Sequence, residues 1–288
     1  MSAELIDGRL IANYYREQLK ETISELKSHD VTPGLAVILV GDNHASHTYV
    51  RMKRKACSKL GIHSELYQFE ESLTQEELVD KIEELNGMDH IHGILVQLPL
   101  PHHINPITII ETISPSKDVD GFHPVSIGKM VTNQDTFYSC TPLGIIKMLE
   151  YEKIDISGKH VVILGRSNIV GKPAGQLFLN RDATVTYCHS KTVNLTDYTK
   201  KADILVSAVG KAKFIGAGDI KKGAVVIDVG MNRDEEGRLC GDVDFESARE
   251  AAGKITPVPG GVGPMTITML LYNTVKSARW QLEDRQKR

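Results

Sequence analysis

The sequence predicts an α/β fold with two α/β domains and a cleft between them. Three observations lead to this class. Apolar segments alternate with amphipathic stretches, these segments form two series, and a stretch rich in Pro, Gly, Ser and Asp separates the series. The length of 288 residues also suits about two domains of roughly 150 residues each.

The first series lies in the N-terminal half of the chain. Short apolar runs at 34–41, 64–69 and 91–101 predict strands, and amphipathic stretches near 9–28, 44–60 and 74–86 predict helices. Strands that alternate with helices in this way favour βαβ units.

The second series follows residue 159. Strands are predicted at 160–165, 183–190, 202–210 and 223–230, with helix-like segments between several of them. Before this series, SPSKDVDGFHPVSIGKM (114–130) lacks sustained periodicity, which is typical of a domain junction. We expect the cleft at this junction.

Composition and charge narrow the classes of partner. A formal net charge of −3 provides no overall positive field for nucleic acid or an anionic membrane, so small molecules or another protein chain are the expected partners. No apolar run reaches the roughly 18 residues of a membrane-spanning helix, and the N-terminus lacks the apolar core of a signal peptide. The four cysteines form no CxxC pair and predict free thiols in a reducing compartment, as in a cytoplasmic protein.

A ligand-binding pattern opens the second series. The predicted strand at 160–165 runs into Gly165, and a helix is expected to begin between Gly171 and Pro173. Glycines let the backbone approach a pyrophosphate, and a helix N-terminus offers unpaired N–H groups and partial positive charge. This pattern favours a Rossmann-like second domain. The spacing Gly-x-x-x-x-x-Gly departs from the Gly-x-Gly-x-x-Gly fingerprint, so an ordinary strand-to-helix turn is the alternative.

The end of the next predicted strand indicates which dinucleotide binds. NAD-binding domains of this type place an Asp or Glu about 20 residues after the loop, where it accepts a hydrogen bond from the ribose 2′-hydroxyl. Residues 188–191 (CHSK) contain no carboxylate. Arg166 and Ser167, with Ser190 and Lys191, favour a 2′-phosphate and hence NADP. The alternative is that Arg166 and Lys191 are solvated surface cations.

A basic run, TYVRMKRKA (48–56), interrupts a chain that is slightly acidic. Residues four apart share one face of a helix, so Tyr49 and Lys53 would stand together, with Cys57 one turn further on. If this face lines the cleft, Lys53 is a candidate for proton transfer. The alternative is a solvated basic face, because charged side chains on helices are mostly exposed.

Five motifs span nearly the whole chain, namely ASHTYVRMKRKAC (45–57), GILVQLPLP (93–101), KDVDGFHP (117–124), GRSNIVGKP (165–173) and PVPGGVGPMT (257–266). In this order they resemble the bifunctional methylenetetrahydrofolate dehydrogenase/methenyltetrahydrofolate cyclohydrolase family. The resemblance implies oxidation of 5,10-methylenetetrahydrofolate to the methenyl cation with NADP⁺, then hydrolysis to 10-formyltetrahydrofolate. It also implies that the glycine spacing is the family's own form.

On the folate side, the resemblance implies roles for five residues. Lys53 would be the catalytic lysine, Tyr49 would stack on the folate ring system, and Gln97 would hydrogen-bond the lysine. Leu98 would contact the substrate. Asp120 would bind the pterin, whose amino group and adjacent ring N–H present two donors that a carboxylate can accept.

On the cofactor side, the resemblance assigns NADP to one group of residues and places a second group against folate and nicotinamide. The first group is Gly165, Arg166, Ser167 and Ser190, with Thr141 and Met231 near the cofactor; the second is Pro259, Gly260, Gly261, Val262 and Gly263. Met231 stands where many relatives have isoleucine. Because both side chains are apolar and similar in volume, we expect only a local change in packing.

The resemblance also predicts domains and assembly. Residues 1–120 with 265–288 would form the folate-binding catalytic domain, and residues 121–264 the NADP-binding domain. An amphipathic helix from Met265 to about Leu282 would return to the first domain, and the enzyme would be a homodimer.

A metal site and two other functions are the alternatives to this interpretation. His90, His92, His102 and His103 invite a metal site, but no carboxylate or cysteine lies at a ligand-like spacing from them and neither reaction needs a metal, so none is expected. The alternatives in function are another two-domain NADP-dependent dehydrogenase of shikimate type and a non-catalytic nucleotide-sensing module.

Overall fold

A computed structural model describes residues 2–287. In chain order, the strands are β1 Glu4–Leu5, β2 Gly34–Val40, β3 His63–Phe69, β4 Gly93–Val96, β5 His160–Leu164, β6 Thr184–Cys188, β7 Ile204–Ser207, β8 Val225–Asp228, β9 Asn232–Arg233, β10 Leu239–Cys240 and β11 Lys254–Ile255. The α-helices are α1 Gly8–Ser28, α2 His44–Leu60, α3 Gln75–Gly87, α4 Pro106–Thr112, α5 Pro124–Val131, α6 Cys140–Tyr151, α7 Gly171–Leu179, α8 Leu195–Thr199, α9 Phe245–Ala248 and α10 Val262–Gln286.

The chain divides into two compact units. The six-stranded unit comprises the chain up to Asn13 together with Thr141–Thr266, and the three-stranded unit comprises Tyr14–Cys140 together with the chain from Ile267 onward. Among residues 2–287, no helix combines the length and the apolar character needed to cross a membrane.

The six-stranded unit is built on a parallel sheet of order β1-β11-β8-β7-β5-β6. Its central strands are continuous apolar runs, and Val162, Leu205 and Val226 are buried in the core of this unit. Runs of this type are expected where helices cover both faces of a parallel sheet. The antiparallel hairpin of β9 and β10 is separate from the sheet.

The three-stranded unit has a parallel sheet of order β3-β2-β4. All seven residues of the central strand β2 are buried. Helix α3 begins with a capping box between Thr74 and Glu77 and buries Leu78, Ile82 and Leu85, which share one helical face. The two sheets confirm the predicted α/β class.

Several predicted elements have different bounds in the structure. The strand predicted at 91–101 ends at Val96, because Pro99 and Pro101 cannot donate the hydrogen bonds of a sheet. The stretch 114–130, which shows no sustained periodicity and is interpreted as a domain junction, contains most of α5. That helix begins at Pro124, and Nδ1 of His123 caps it by accepting from the N–H of Val125 at 3.0 Å.

Candidate active site and nucleotide-binding loop

Helix α2 is the element that carries the basic run. It begins after Asn43, whose side-chain oxygen accepts from the N–H of Ser46 at 3.1 Å, and it ends at Gly61 in the left-handed region with φ 71°. Both ends are therefore defined by local sequence, which fixes the direction in which each side chain of the helix points.

Only one of the four cations in this run is shielded from solvent. Arg51, Arg54 and Lys55 are exposed, whereas Lys53 is half-buried. Tyr49 lies one turn earlier on the same face and is also half-buried, and its burial raises the pKa of its hydroxyl. Lys53 thus differs from its charged neighbours in solvent exposure and shares partial burial with Tyr49, in agreement with the predicted placement of Tyr49 and Lys53 on one helix face.

The Lys53 ammonium points to the end of β4. Its Nζ donates to Oε1 of Gln97 at 3.0 Å, and Nε2 of Gln97 donates to the carbonyl oxygen of Leu98 at 2.7 Å. The backbone N–H of Gln97 donates to the carbonyl oxygen of Ile38 in β2 at 2.9 Å. The donation from Nε2 to Leu98 fixes which way the amide is turned, so that its oxygen faces the lysine.

Asp120 lies close to the same lysine. Burial raises the pKa of Asp120 to about 6; the nearby Lys53 ammonium acts in the opposite direction, and Asp118 raises the pKa further. Asp120 and Leu98 line one small cavity. The three-stranded unit therefore brings Lys53, Gln97, Leu98 and Asp120 together, and Tyr49 shares the helix face of Lys53.

A buried carboxylate shapes the turn that follows Asp120. Asp118 accepts hydrogen bonds from the N–H groups of Phe122 and His123 at 3.1 and 2.9 Å, and from the hydroxyl of Ser126 at 2.7 Å. Its burial raises the pKa of its own carboxyl group to about 6. The carboxylate oxygens of Asp118 are occupied by these hydrogen bonds within the turn. Asp120 is therefore the better placed of the two carboxylates to bind a ligand.

Asn273 in α10 supports the other side of this turn. Its Nδ2 donates to the carbonyl oxygens of Val119 at 2.8 Å and Tyr138 at 3.0 Å. The thiol of Cys140 donates to the same Val119 oxygen at 3.3 Å, and burial raises the pKa of that thiol well above its ordinary value. Sequence spacing gave no signal for Asn273, because its partners lie more than a hundred residues earlier.

In the six-stranded unit, the predicted nucleotide loop connects β5 to α7. Gly165 has φ +116°, and a Cβ there would lie 2.4 Å from the carbonyl oxygen of Ala208, so only glycine fits. The hydroxyl of Ser167 accepts from the N–H groups of Val170 and Gly171 at 3.2 and 3.3 Å. Ser167 thus closes the turn before α7, while its hydroxyl hydrogen remains available as a donor.

A cavity of about 270 Å³ lies at the carboxyl ends of β5, β6 and β7. It contains three of the predicted cofactor residues, Gly165, Arg166 and Ser190, together with Lys211. None of the described residues that line it carries a carboxylate. A cation-bearing pocket at the carboxyl edge of a parallel sheet suits an anionic dinucleotide.

Asp242 is a support of this cavity that sequence reasoning missed. The side chain is fully buried and accepts from the N–H groups of Val209 at 2.6 Å, Gly210 at 3.2 Å and Lys211 at 3.0 Å. Val209 and Lys211 line the cavity. The Asp242 carboxylate therefore sets the path of the backbone at this wall.

Asp228, at the end of β8, holds the backbone of Asp242 in turn. It accepts from the N–H groups of Gly230, Asp242 and Val243 at 2.9 Å each. Burial raises the pKa of Asp228 to about 6, although each of these N–H groups favours the ionised form.

The remaining predicted residues also belong to the six-stranded unit. The hydroxyls of Thr141 and Thr266 lie 2.9 Å apart, within hydrogen-bonding distance. Met231 is 52% exposed and follows β8 by a short turn. The structure thus divides the predicted residues into two groups, one in each unit.

The glycine-rich segment 259–263 precedes and opens α10. Gly261 and Val262 are buried, while Pro259 and Gly263 are exposed. Gly260 has φ +110°, which favours glycine at this position. The segment is therefore a tight backbone turn with few side chains, and a planar ligand could approach it closely.

The parallel sheet, the glycine turn and the cation-lined cavity define a dinucleotide-binding protein of the dehydrogenase class. Residues 6–120 match the tetrahydrofolate dehydrogenase/cyclohydrolase catalytic domain, and residues 139–282 match the NAD(P)-binding domain of the same family. The chain belongs to the tetrahydrofolate dehydrogenase/cyclohydrolase family.

Relatives of known identity agree with this assignment. The bifunctional protein FolD of Bacillus subtilis (strain 168) is 62% identical over 279 residues, which cover 97% of this chain and 99% of the relative. The crystal structure of the bifunctional enzyme FolD from Campylobacter jejuni has 50% identity and a TM-score of 0.95, over 96% of this chain and 99% of that one.

A third relative was solved with ligands. The Trypanosoma brucei methylenetetrahydrofolate dehydrogenase-cyclohydrolase, complexed with NADP and an inhibitor, is 39% identical with a TM-score of 0.93, over 98% of this chain and 99% of that one. The predicted family and enzyme class are confirmed, and the alternatives of a shikimate-type enzyme and a nucleotide sensor are not favoured. The role of each site residue stays a prediction.

Proposed function

We propose that this protein oxidises 5,10-methylenetetrahydrofolate with NADP⁺ and hydrolyses the methenyl product to 10-formyltetrahydrofolate. The observation that carries the proposal is the hydrogen bond of 3.0 Å between Lys53 and Gln97 beside Asp120, in a chain of this family. A half-buried lysine, a neutral amide and a carboxylate supply a proton carrier, its orienting partner and a pterin acceptor.

The two ligands are divided between two parts of the chain. Residues 1–120 with 265–288 bind the folate, and residues 121–264 bind NADP. The match of residues 6–120 to a catalytic domain, and of residues 139–264 within a longer match to an NAD(P)-binding domain, support this division for those parts of the chain.

In the oxidation, the residues of this chain position the substrate. Asp120 accepts hydrogen bonds from the pterin amino group and ring N–H, and Tyr49 stacks on the ring system. Loss of hydride from the methylene carbon leaves a resonance-stabilised cation, so no base is required at this step. NADP⁺ supplies the hydride acceptor.

In the hydrolysis, Lys53 moves protons. The oxygen of a water molecule bonds to the methenyl carbon, and Lys53 accepts a proton from that water. One carbon–nitrogen bond of the bridge then breaks as the new hydroxyl becomes the formyl carbonyl and releases its proton to solvent, and Lys53 returns a proton to the released ring nitrogen. Gln97 keeps the Nζ atom in place during both transfers, because its amide is held by Leu98.

The NADP-binding residues fit the cofactor they would hold. Gly165 has no side chain, so a pyrophosphate could approach its backbone closely. Any other residue is excluded here, because a Cβ would collide with the carbonyl oxygen of Ala208. Arg166 and Ser190 line the same cavity and would bind the 2′-phosphate. Ser167 would add a hydroxyl donor. No carboxylate from the described lining competes with that phosphate, which favours NADP⁺ over NAD⁺.

The proposal extends to assembly and location. We expect a homodimer that acts on tetrahydrofolate derivatives in the cytoplasm and binds neither nucleic acid nor a membrane. The net charge of −3 supports the absence of polyanionic partners, and the free cysteines suit a reducing compartment. Light scattering of the purified protein measures the oligomeric state.

The test is to mix the purified protein with methylenetetrahydrofolate and either NADP⁺ or NAD⁺, and to follow reduced cofactor and 10-formyltetrahydrofolate together. Both products should form, with a higher kcat/KM for NADP⁺. Reduced cofactor without any gain in 10-formyltetrahydrofolate over the uncatalysed rate would remove the hydrolase from the proposal. No turnover of either kind would overturn it entirely.

A further inference from the structure

Three side chains of the three-stranded unit converge at the end of the sheet away from Gln97. His63 is the first residue of β3, Glu65 follows in the same strand, and His90 precedes β4. The Nε2 atoms of His63 and His90 lie 2.8 and 2.9 Å from the same Oε1 of Glu65. All three of these atoms lie within 4.8 Å of one another.

The fold explains how residues distant in sequence meet at this point. His63 and Glu65 are two apart in a strand, so their side chains share one face of the sheet. His90 comes from the connection between α3 and β4, on the far side of the central strand β2. A Cβ at Gly34 would lie 2.0 Å from the carbonyl oxygen of His90, so this glycine lets the His90 backbone lie directly against β2.

The Glu65 carboxylate has a fixed orientation. Its second oxygen accepts a hydrogen bond from the hydroxyl of Tyr67, two residues further along the same face of β3. An outer partner of this kind orients a ligating carboxylate and leaves the other oxygen for a metal. Side-chain exposures of 48% for His63, 26% for Glu65 and 58% for His90 leave the cluster open to an ion from solvent.

We propose that His63, Glu65 and His90 form a zinc(II) site, with two imidazole nitrogens, one carboxylate oxygen and a water molecule as the fourth ligand. Two histidines and one glutamate are a recurrent zinc ligand set. Zinc–ligand bonds of about 2.0–2.2 Å place tetrahedral ligand atoms roughly 3.3 Å apart. Each imidazole would retreat from Glu65 by a few tenths of an ångström, and the two Nε2 atoms, which lie within 4.8 Å of each other, would settle at the same spacing of roughly 3.3 Å.

This site lies outside the proposed folate and NADP chemistry. The bound ion would connect the edge strand β3 to the loop before β4, and its effect would be on the stability of the unit. Sequence spacing gives no signal for it, because no carboxylate lies at a ligand-like spacing from His90 or its neighbouring histidines. Only tertiary structure reveals Glu65, which lies 25 residues before His90.

Two of the histidines near His90 form hydrogen bonds with other partners. Nδ1 of His92 accepts from the N–H of Gly34 at 3.0 Å in a buried position, and Nε2 of His103 hydrogen-bonds the carbonyl oxygen of Leu73 at 2.9 Å. His102 is exposed and belongs to the same unit, so it provides a matched control.

The experiment is calorimetric titration of the chelator-treated, full-length protein with zinc chloride. The unmodified protein should bind one equivalent saturably, and His63→Gln and His90→Gln should each weaken that binding at least tenfold. His102→Gln should leave it unchanged. Urea unfolding of each variant without metal verifies that the fold is retained, as expected for substitutions of exposed side chains.

Two further measurements make the result decisive. Cobalt(II) in place of zinc should give the intense visible absorption of a four-coordinate ion with the unmodified protein, and this signal should be lost in both site variants. Zinc should also raise the Tm of the unmodified protein and of His102→Gln but not of the site variants. Absence of saturable binding by the unmodified protein, or binding by His63→Gln and His90→Gln as tight as that of the unmodified protein, would establish a hydrogen-bonded cluster without a metal and overturn the proposal.

Discussion

The Nζ atom of Lys53 lies 3.0 Å from Oε1 of Gln97, and this hydrogen bond singles out one lysine from a run of four cations. The same helix leaves Arg51, Arg54 and Lys55 exposed. The lysine that the folate reaction would use is therefore the one whose position is fixed by a neighbouring strand. Each step proposed for it can be tested by substitution.

Replacement of Lys53 by methionine should separate the two reactions. Lys53→Met removes the proton carrier, so cyclohydrolase kcat should fall by about 10²–10⁴-fold. The dehydrogenase should keep a measurable share of its rate, because hydride loss needs positioning and no base. The measurement is an assay of both steps on this variant and on Lys55→Met, an exposed control two residues away. Cyclohydrolase activity near that of the unmodified enzyme would show that the run is only a solvated surface.

Arg166 should determine the preference for NADP⁺. Arg166→Ala removes a charge-assisted contact to the 2′-phosphate, a loss of about 1.5–3 kcal/mol, so KM for NADP⁺ should rise roughly tenfold to hundredfold. KM for NAD⁺ should change little. Lys200→Ala, an exposed cation of the same unit, is the control. An equal loss for both cofactors would mean that Arg166 does not contact the phosphate.

Asp120 should be required for folate binding in both reactions. Asp120→Asn keeps the size of the side chain but replaces one acceptor oxygen with a donor, which faces the donors of the pterin. KM for folate should rise at least tenfold in both assays, with the NADP⁺ Kd unchanged. Steady-state kinetics and cofactor titration measure the two quantities. A variant that binds folate normally would exclude Asp120 from the site.

The raised pKa of Asp120 also predicts how stability depends on pH. Burial raises this pKa from 3.8 in the unfolded chain to about 6. Between these values the folded state holds the proton more tightly than the unfolded state, so the contribution of Asp120 to stability falls as pH rises from about 4 to 6. Asp120→Asn has no carboxyl group at this position, so its stability lacks this dependence on pH. The free energy of unfolding, measured with urea at pH 4 and at pH 7, should change differently in the two proteins. Between pH 4 and pH 7, the variant should become more stable relative to the unmodified protein by on the order of 1–3 kcal/mol. A difference that is the same at both pH values would contradict the shift.

Asp242 should act as a positioning residue for the cofactor. Asp242→Asn replaces an acceptor oxygen with an amide donor against the N–H groups of residues 209–211, which should cost about 1–3 kcal/mol of stability. The wall of the NADP cavity should loosen, so KM for NADP⁺ should rise while KM for folate is retained. Asp197→Asn, on an exposed helix turn, is the control. Unchanged NADP⁺ kinetics in a destabilised variant would limit Asp242 to a structural role.

The fold was largely predictable because the buried strands β2, β4 and β5 are mainly apolar runs, which mark the two sheets in the sequence. Two short strands, β1 and β11, were not predictable, since a strand of two residues shows no periodicity. Helix α5 was also missed, because Pro124 and Gly128 made its segment resemble a loop.

The candidate site was predictable only in part. Helical spacing placed Tyr49 beside Lys53, but the partnership of Lys53 with Gln97 came from family resemblance, and its distance comes from the structure. Asp242 and Asn273 have no sequence signal, because their partners are brought to them by the tertiary fold. Long-range hydrogen bonds of this kind follow from topology and not from local pattern.

The order in which the chain is synthesised determines when the contact of Asn273 with Val119 can form. The two residues are 154 positions apart, so the turn next to Asp120 leaves the ribosome long before its support. At roughly 5–20 residues per second, the delay is about 8–30 s. During that interval the carbonyl groups that Asn273 will later bind depend on water or on other partners, so this turn gains its full set of hydrogen bonds only after residue 273 has been added.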